Sequence, residues 1–316
     1  MHNRQSGDAP RTISIVICTH NRAGYLSQAI ESVINQPLPG DEIIVVDNGS
    51  TDKTRLAVQH FEGRSNIRYV FEPKLGLCHA RNTGWRNANG QYVAYLDDDA
   101  VASPGWLGAI RDAFTMMPSA GAVGGRVEPI WLGKRPDWLS DEIAMSLTIV
   151  DWSNQPKAIT DIRTEWLVGA NIAFPAKVLA ELGGFEPRLG RAGRNLLSGE
   201  EIFIQNQIIQ HGYSCLYYPQ MAVRHLVHAS RLNKQWFRRR YYWQGISDAV
   251  MYCIQNSPSG KQRLLHALCR ARRLFRSPQR FRDFLVSTDD PERFMHMCFL
   301  LIEIGYVAAL FGLARR

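Results

Sequence analysis

The sequence predicts an α/β fold in which a sheet is flanked by helices, followed by a helical C-terminal extension. Short apolar runs rich in β-branched residues alternate with segments of helical periodicity through the first hundred residues. Alternation of this kind is typical of parallel βαβ units. With 316 residues, of which 45% are hydrophobic, the chain is long enough to bury the core of one or two domains.

The predicted elements follow one another in a regular order. Strands are expected at 13–18, 42–46, 67–71 and 92–96. Between them, helices are expected from Gly24 to Pro37, after the capping group Ser50 to Asp52, and from Ala80 to Ala88. Further along, a strand at 167–174 and a helix from Ser198 to His211 are expected.

Polar side chains follow three of these strands at their carboxyl ends. They are Thr19, Asn21 and Arg22 after the first strand, Asp47 after the second, and Asp97, Asp98 and Asp99 after the fourth. Ligands of open α/β sheets bind beyond the carboxyl ends of the strands. We therefore expect these residues to meet in one crevice.

The acidic triplet Asp97 to Asp99 predicts a metal site. Three consecutive carboxylates behind a buried strand repel one another unless positive charge lies beside them. Oxygen ligands suit Mg²⁺ or Mn²⁺, which commonly bridge to substrate phosphates. The alternative is a solvated acidic loop that caps the helix at Pro104. The position of the triplet at the end of a buried strand favours the metal.

Four motifs resemble those of the family-2 glycosyltransferases, in the family's order and spacing. They are S-I-V-I-C-T-H-N-R at 14–22, V-V-D-N-G-S-T-D at 45–52, G-L-C-H-A-R-N-T-G at 76–84 and L-D-D-D at 96–99. The resemblance implies a GT-A fold, a Rossmann-like mixed sheet flanked by helices, and an inverting transferase that uses a nucleotide sugar. It divides the chain into a tail at 1–12, a GT-A domain at 13–230 with nucleotide-binding (13–100) and acceptor (101–230) halves, and a basic helical extension at 231–316.

The resemblance assigns donor-binding roles to residues of these motifs. It places Thr19, Asn21 and Arg22 in the nucleotide pocket, Asp47 on the nucleobase or ribose, and Gly76 and Arg81 near the diphosphate. A glycine lets backbone approach closely, and an arginine fork suits phosphate oxygens. A solvated arginine is the alternative for Arg22, and a plain turn residue is the alternative for Asp47.

The resemblance also supplies a ligand set for Mn²⁺ or Mg²⁺. Asp98 is expected to face the ribose, Asp99 to bind the metal, and Asp97 to support them. His225, after the last core strand, is expected to help bind the metal or diphosphate, with His228 as the second choice. A packed or surface histidine is the alternative.

The acidic pair Glu200-Glu201 resembles the family's Glu-Asp motif, in which the second acid is the catalytic base. We expect Glu201 to be the base and keep Glu200 as the second choice, although Glu replaces the commoner Asp and changes the reach. A carboxylate with an ordinary pKa of about 4.3 is ionised at neutral pH and can accept the acceptor's proton. Helix capping is the alternative for both acids.

Basic residues concentrate in the C-terminal third. Between Arg231 and Arg282 there are 13 Lys and Arg residues and one acid, a local charge of +12 in a chain whose net charge is +8. Helices at 233–254 and 261–275 carry this charge beside aromatic residues. Such a segment attracts anionic partners.

The apolar segment at 294–313 has the length of a bilayer span but contains His296 and Glu303. A charge at mid-span costs about 2.5–3.5 kcal/mol, so we expect this segment to lie at an interface or pack on the catalytic domain. With the basic residues, it suits a peripheral enzyme at an anionic membrane surface. The alternative is a helical cap whose arginines are solvated.

The expected partners are a nucleotide-sugar donor and a saccharide or lipid-linked acceptor, in polysaccharide or cell-surface glycan synthesis. A UDP-sugar is expected because UDP-sugars are the commonest donors of the family. The absence of an apolar run at 1–12 and of a C-x-x-C pair among six cysteines favours the cytoplasm, with the protein peripheral on the inner face of the membrane.

Two other functions fit the sequence less well. A sugar-phosphate nucleotidyltransferase needs a glycine-rich phosphate loop after its first strand, and residues 19–22 contain no glycine. A nucleic-acid-binding protein would use residues 231–282 for stacking and charge. It leaves the acidic triplet and the Glu200-Glu201 pair unexplained, so nucleic acid is not an expected partner.

Overall fold

The computed structural model describes residues 11–36, 39–64, 66–193, 195–274 and 289–313. At 273 and 274 it describes the backbone alone. The strands are β1 (Ile13–Thr19), β2 (Glu42–Asp47), β3 (Ile67–Phe71), β4 (Tyr92–Asp97), β5 (Ala100–Ala102), β6 (Ala120–Gly124), β7 (Val127–Trp131), β8 (Lys157–Ile159), β9 (Asn171–Pro175), β10 (Ser214–Tyr217) and β11 (Val223–Val227). The α-helices are α1 (Ala23–Ile34), α2 (Thr54–Gln59), α3 (Leu77–Arg86), α4 (Trp106–Met116), α5 (Asp141–Ala144), α6 (Ala176–Leu182), α7 (Glu200–Gln210), α8 (Lys234–Asn256), α9 (Gly260–Leu274) and α10 (Pro291–Leu310).

The strands form one large mixed sheet and one small sheet. The large sheet has eight strands in the order β3-β2-β1-β4-β9-β6-β10-β8, and the small sheet has the order β5-β11-β7. The first four strands of the chain are parallel, whereas β9 runs antiparallel to both β4 and β6. This mixed sheet with flanking helices confirms the predicted fold class.

Alternate residues of the central strand face two apolar cores. Ile15 and Ile17 of β1 lie in a core that also contains buried residues of α1 and α4. Val16, on the opposite face, lies in a core with buried residues of α3, α6 and α7. Because side chains alternate across a strand, the sheet is covered on both faces. The predicted polar residues lie at the carboxyl ends of its parallel strands.

The expected strand at 167–174 forms only in its second half, as β9. Its first residue, Leu167, instead exchanges hydrogen bonds with a glutamine of α7: the Leu167 N–H donates to Gln205 Oε1 at 2.9 Å, and Gln205 Nε2 donates to the Leu167 carbonyl at 2.8 Å. A side chain thus takes the place of a neighbouring strand. The segment before β9 turns toward α7 and lines the cavity described below.

Helix α10 packs against α8 at two glycines. A Cβ at Gly245 would lie 1.9 Å from the Ile302 carbonyl oxygen, and one at Gly305 would lie 2.0 Å from the Tyr242 carbonyl oxygen. The backbones of the two helices therefore approach closely, which only glycine permits. By length and composition α10 could cross a membrane, but 39% of its most apolar 18-residue stretch is buried in the protein. Packing was one of the two arrangements expected for this segment.

Candidate active site

The register of the central strands brings the predicted polar residues to one edge of the large sheet. Thr19 pairs with Asp47 across β1 and β2, and Cys18 pairs with Asp97 across β1 and β4. A cavity of about 960 Å³ opens beyond this edge. Its lining includes most of the predicted site residues: Thr19, Arg22, Gly76, Arg81, Asp97, Asp98, Asp99, Glu200, Glu201 and His225.

Asn21 and Asp47 do not line this cavity; they hold the neighbouring loop. Asn21, with a positive φ of 54°, accepts a hydrogen bond from the Thr51 N–H at 2.7 Å. Asp47 accepts from the Ser50 N–H at 2.8 Å and from the Tyr69 hydroxyl at 2.7 Å. These contacts are those of turn residues, the alternative that the sequence left open for Asp47.

Asp97, Asp99 and His225 form a group that could hold a metal ion. One ligand atom from each of the three residues lies within 4.8 Å of the others. The imidazole Nε2 of His225 lies 3.2 Å from Asp99 Oδ1, and His225 Nδ1 is buried without a hydrogen-bond partner among the described residues. Two carboxylates and an imidazole are a donor set that Mn²⁺ accepts, with Mg²⁺ better served by oxygen alone. The residues therefore fit the expected cofactor.

Asp97 and Asp98 lie in different surroundings, and the geometry adds Asp97 to the candidate metal-binding group while Asp98 is held by protein side chains. The Asp97 side chain is 31% exposed and belongs to the metal-binding group. Asp98 is buried, and its two oxygens accept hydrogen bonds from Thr19 Oγ1 at 2.7 Å and Arg22 Nη1 at 2.9 Å. Burial, with the charge of Asp99 nearby, raises the pKa of Asp98 to about 6. Neighbouring residues of a loop alternate in direction, so spacing alone could not decide between them.

Asp99 is surrounded by basic side chains. The Arg22 Nη1 lies 2.8 Å from Asp99 Oδ2, Arg231 Nη2 lies 3.5 Å away, and His228 Nε2 lies 3.9 Å away. The hydrogen bond from His225 and the charges of His225, Arg22 and Arg231 hold the pKa of this carboxyl well below its usual range despite burial. Arg22 thus spans Asp98 and Asp99 rather than extending freely into the pocket.

Gly76 lies where the cavity meets the start of α3. Its N–H donates to Asn48 Oδ1 at 2.8 Å, and its φ of 141° belongs to a region that L side chains rarely adopt. Asn48 also lines the cavity and donates to the Lys74 carbonyl at 2.8 Å. In the sequence, the only signal for Asn48 was its place beside Asp47.

Arg81 is buried beneath the site and joins its two acidic parts. Its Nη1 donates to Glu200 Oε1 at 2.8 Å, and its Nη2 lies 3.5 Å from Asp97 Oδ1. A Cβ at Gly169 would lie 2.3 Å from Arg81 Nη2, so a glycine leaves room for the guanidinium. With its side chain 3% exposed, Arg81 is engaged by protein carboxylates. Arg81 also lines the cavity, and its expected place near the diphosphate stays a prediction.

Glu200 and Glu201 begin α7, behind the N-cap Gly199 with its positive φ of 92°. Glu200 is buried against Arg81, while one oxygen of each glutamate is buried with no hydrogen-bond partner in the part of the chain that the structure describes. Burial and the neighbouring Glu200 charge raise the pKa of Glu201 to about 8. The expectation of an ordinary carboxyl pKa at this position was therefore wrong, because both acids share a water-poor site.

The far side of the cavity is built by the C-terminal helices. Residues of α8 and α10 that line it include Arg240, Tyr241, Gln244, Met251, Phe299 and Ile302, and Arg191 lines it from the loop before α7. From the sequence, the arginines of α8 were expected only to form a basic surface. Hydrophobic periodicity could not assign them to the cavity, because that assignment depends on how α8 packs against residues 13–230.

The fold and the site are those of a glycosyltransferase, and comparison with known proteins agrees. The glycosyl transferase family 2 model matches residues 14–176, about half of the chain. A relative with 30% identity over 243 residues, covering 76% of this chain and 77% of its own length, is the glucosyl-dolichyl phosphate glucuronosyltransferase of Haloferax volcanii. The chain belongs to glycosyl transferase family 2 and is a glycosyltransferase.

Solved structures confirm the GT-A fold. The mannosyltransferase PcManGT of Pyrobaculum calidifontis, in complex with GDP-Man and Mn²⁺, aligns with a TM-score of 0.61 and 20% identity over 97% of this chain and 88% of its own. GalNAc-T7 with UDP, GalNAc and Mn²⁺ aligns with a TM-score of 0.54 and 19% identity over 75% of this chain and half of its own. At these identities the likeness concerns the fold.

Proposed function

We propose that this chain transfers a sugar from a nucleoside-diphosphate sugar to a hydroxyl of a saccharide or lipid-linked acceptor, with inversion at the anomeric carbon. The observation that carries the proposal is the connection from Asp97 through Arg81 to Glu200. It holds the candidate metal-binding group and the acidic pair in one cavity. A donor bound at the metal-binding group and an acceptor bound at the acidic pair would meet between these two sites.

In this proposal Glu201 is the base. Its carboxylate takes the proton of the acceptor hydroxyl while the oxygen bonds to the anomeric carbon and the bond to the leaving diphosphate breaks. Because burial and Glu200 raise the pKa of Glu201 to about 8, the side chain holds the proton that it receives. Arg81 draws Glu200 toward the protein interior. One displacement on the face opposite the leaving group inverts the configuration.

Asp97, Asp99 and His225 would hold the divalent cation on the donor side. Such a cation, when bound, neutralises charge on the departing diphosphate. Arg231 and Arg22 add positive charge from the protein on the same side of the cavity, because both face Asp99. His228, 3.9 Å from Asp99, lies at the rim of this group.

The donor is proposed to be a UDP-sugar, and other nucleotides are tested beside it. Thermal unfolding with UDP, GDP, dTDP and CDP, each with and without Mn²⁺, measures which nucleoside diphosphate binds. A ligand at 100 times its dissociation constant adds about 2.7 kcal/mol of stability. Mn²⁺-dependent stabilisation by UDP, lost in Asp99→Ala, supports the proposal. No stabilisation by any of the four contradicts it.

The acceptor is proposed to be lipid-linked, and the enzyme peripheral to a membrane. The relative from Haloferax volcanii is named for a glucosyl-dolichyl phosphate substrate. Helix α9 presents Leu264, Leu265 and Leu268 to solvent, each about half exposed, beside the exposed Lys261 and Arg263. An apolar stripe flanked by cations is the pattern of helices that lie on anionic lipid surfaces.

A further inference from the structure

Arg240 is a buried arginine of α8 whose hydrogen-bonding capacity is largely unused. It lines the cavity and is 9% exposed. Its Nη2 donates to Gln244 Oε1 at 2.9 Å, whereas its Nε and Nη1 are buried without a partner among the residues that the structure describes. A guanidinium carries five N–H donors and is costly to bury unless they are used. Arg240 therefore brings unused hydrogen-bond donors to the wall of the cavity.

The surroundings of Arg240 favour an anionic ligand. No carboxylate forms an ion pair with it in the described part of the chain, although Glu200 and Glu201 lie within its electrostatic field. Burial, and then the charge of Arg191, lower the pKa of Arg240 to about 10. Arg240 is still charged at neutral pH, and Arg191 brings a second guanidinium to a cavity that Glu200, Glu201 and Asp248 also line.

A hydrogen-bonded chain places Arg240 on the acceptor side of the cavity. Gln244, which accepts from Arg240, also accepts from Ser198 Oγ at 3.1 Å, and Ser198 immediately precedes the N-cap of α7. Arg240 is thereby held next to the acidic pair. The cations of the donor side, Arg22 and Arg231, are instead committed to Asp99.

The cavity continues from Arg240 along α8 and α10, where both polar and apolar side chains line it. On α8 the residues that line it follow at helical spacing from Arg240 through Gln244 and Asp248 to Met251, about 16 Å along the helix axis. Burial raises the pKa of Asp248 to about 6, and its Oδ1 accepts from Gln244 Nε2. Phe299 and Ile302 of α10 face the same space, and Phe299 is 40% exposed at its edge.

We propose that Arg240, together with Arg191, binds the phosphate of an acceptor in which the sugar to be extended is joined to a lipid through that phosphate. The inference rests on the proposed function and identifies its acceptor class. The phosphate lies one sugar away from the hydroxyl that Glu201 deprotonates, and the lipid follows the apolar residues toward Phe299. Arg240 is a binding residue for the acceptor, separate from the donor site.

The test measures binding of n-decyl phosphate to the full chain by isothermal titration. Decyl β-glucoside serves as the neutral probe, inorganic phosphate as the lipid-free anion, and UDP with Mn²⁺ as the donor-side probe. Arg240→Gln removes the positive charge. Arg240→Lys keeps the charge but lacks the planar guanidinium that can donate two parallel hydrogen bonds. Arg239→Gln is the matched control, because Arg239 is exposed and does not line the cavity.

We expect wild-type protein to bind decyl phosphate, and Arg240→Gln to lose about tenfold or more in affinity, as removal of a charged hydrogen-bond donor does. Arg240→Lys should fall between them, because lysine cannot form a bidentate pair. Arg239→Gln should bind like the wild type. Inorganic phosphate should bind more weakly than decyl phosphate in the wild type.

Each of the following results would overturn the inference: no binding of decyl phosphate by wild-type protein, equal binding by Arg240→Gln, a parallel loss of UDP binding in that variant, or equal affinity for inorganic and decyl phosphate. A parallel loss of decyl glucoside binding would also do so, since it indicates damage to the apolar cavity. Failure of the proposed function is distinguishable, because it would appear as absent nucleotide binding while decyl phosphate still binds through Arg240.

Discussion

Arg81 donates a hydrogen bond to Glu200 at 2.8 Å while its other terminal nitrogen lies 3.5 Å from Asp97. The two carboxylates belong to α7 and β4, which are far apart in the chain. Their separation in the cavity is therefore set by one buried guanidinium. This links the position of the candidate base to the position of the candidate metal-binding group.

Arg81→Met should destabilise the protein strongly. Removing one partner of a buried ion pair costs about 3–5 kcal/mol, because the remaining charge has no compensation. Chemical denaturation should show this loss, and Glu200→Gln in the same chain should recover part of it. Arg86→Met is the control: Arg86 is on the same helix but exposed, and we expect a change of about 1 kcal/mol or less. Equal losses in both single variants would contradict the buried-pair assignment.

Activity should rise with pH up to about 8. Glu201 must be ionised to accept a proton, and its pKa is raised to about 8, so most molecules carry a protonated Glu201 at pH 6. The pH profile of kcat/KM should bend near this value. Glu201→Gln should lose about 100-fold or more of the activity, and its residual activity should not bend near pH 8. A profile that is flat from pH 6 to pH 9 would rule out Glu201 as the base.

The same shift predicts the pH dependence of stability. Between the ordinary carboxyl pKa and about 8, the folded state keeps the Glu201 proton that the unfolded chain releases. The free energy of unfolding contributed by this group therefore falls as pH rises through that range. The melting temperature of Glu201→Gln relative to wild type should increase from pH 5 to pH 8. A difference that shrinks over that range contradicts the shift.

Gly245→Ala should destabilise the contact between α8 and α10. The added methyl would lie 1.9 Å from a backbone oxygen of α10, which cannot move as a side-chain end can, and overpacking costs about 1–3 kcal/mol. Gly108→Ala, inside α4 with nothing within 4 Å of the new Cβ, should be stabilising by up to about 1 kcal/mol. The melting temperatures of the two variants are compared with that of the wild type. A Gly245→Ala variant as stable as the wild type would exclude the close contact between α8 and α10.

Removal of the exposed leucines of α9 should abolish membrane binding. The triple variant Leu264→Ser, Leu265→Ser and Leu268→Ser should no longer float with anionic liposomes, whereas the wild type should. Leu56→Ser is the matched control, because Leu56 is 61% exposed on the distant α2. Flotation of the triple variant with wild-type efficiency, or equal flotation of the wild type with neutral liposomes, would contradict the proposed surface.

The sequence predicted the fold and the edge of the sheet where the site lies, because both follow from local patterns. Apolar runs ending in Thr19, Asp47 and Asp97 mark strand ends, and parallel strands bring such ends together. The individual roles depended on side-chain direction and long-range packing. Arg81 could not be recognised as an internal ion pair without its contact to Glu200, 119 residues away. Arg240 could not be predicted as a cavity residue, because its place there depends on how α8 packs.

The central claim is that one cavity contains two separable parts, a donor site at Asp99 and a base at Glu201. The most direct test is UDP binding in the presence of Mn²⁺, measured beside sugar transfer, in Asp99→Asn and Glu201→Gln. We predict that Asp99→Asn loses both. Glu201→Gln should bind UDP with wild-type affinity and lose transfer by about 100-fold or more, as expected when a general base is removed. Retained transfer in Glu201→Gln, or UDP binding by Asp99→Asn equal to wild type, would contradict the claim.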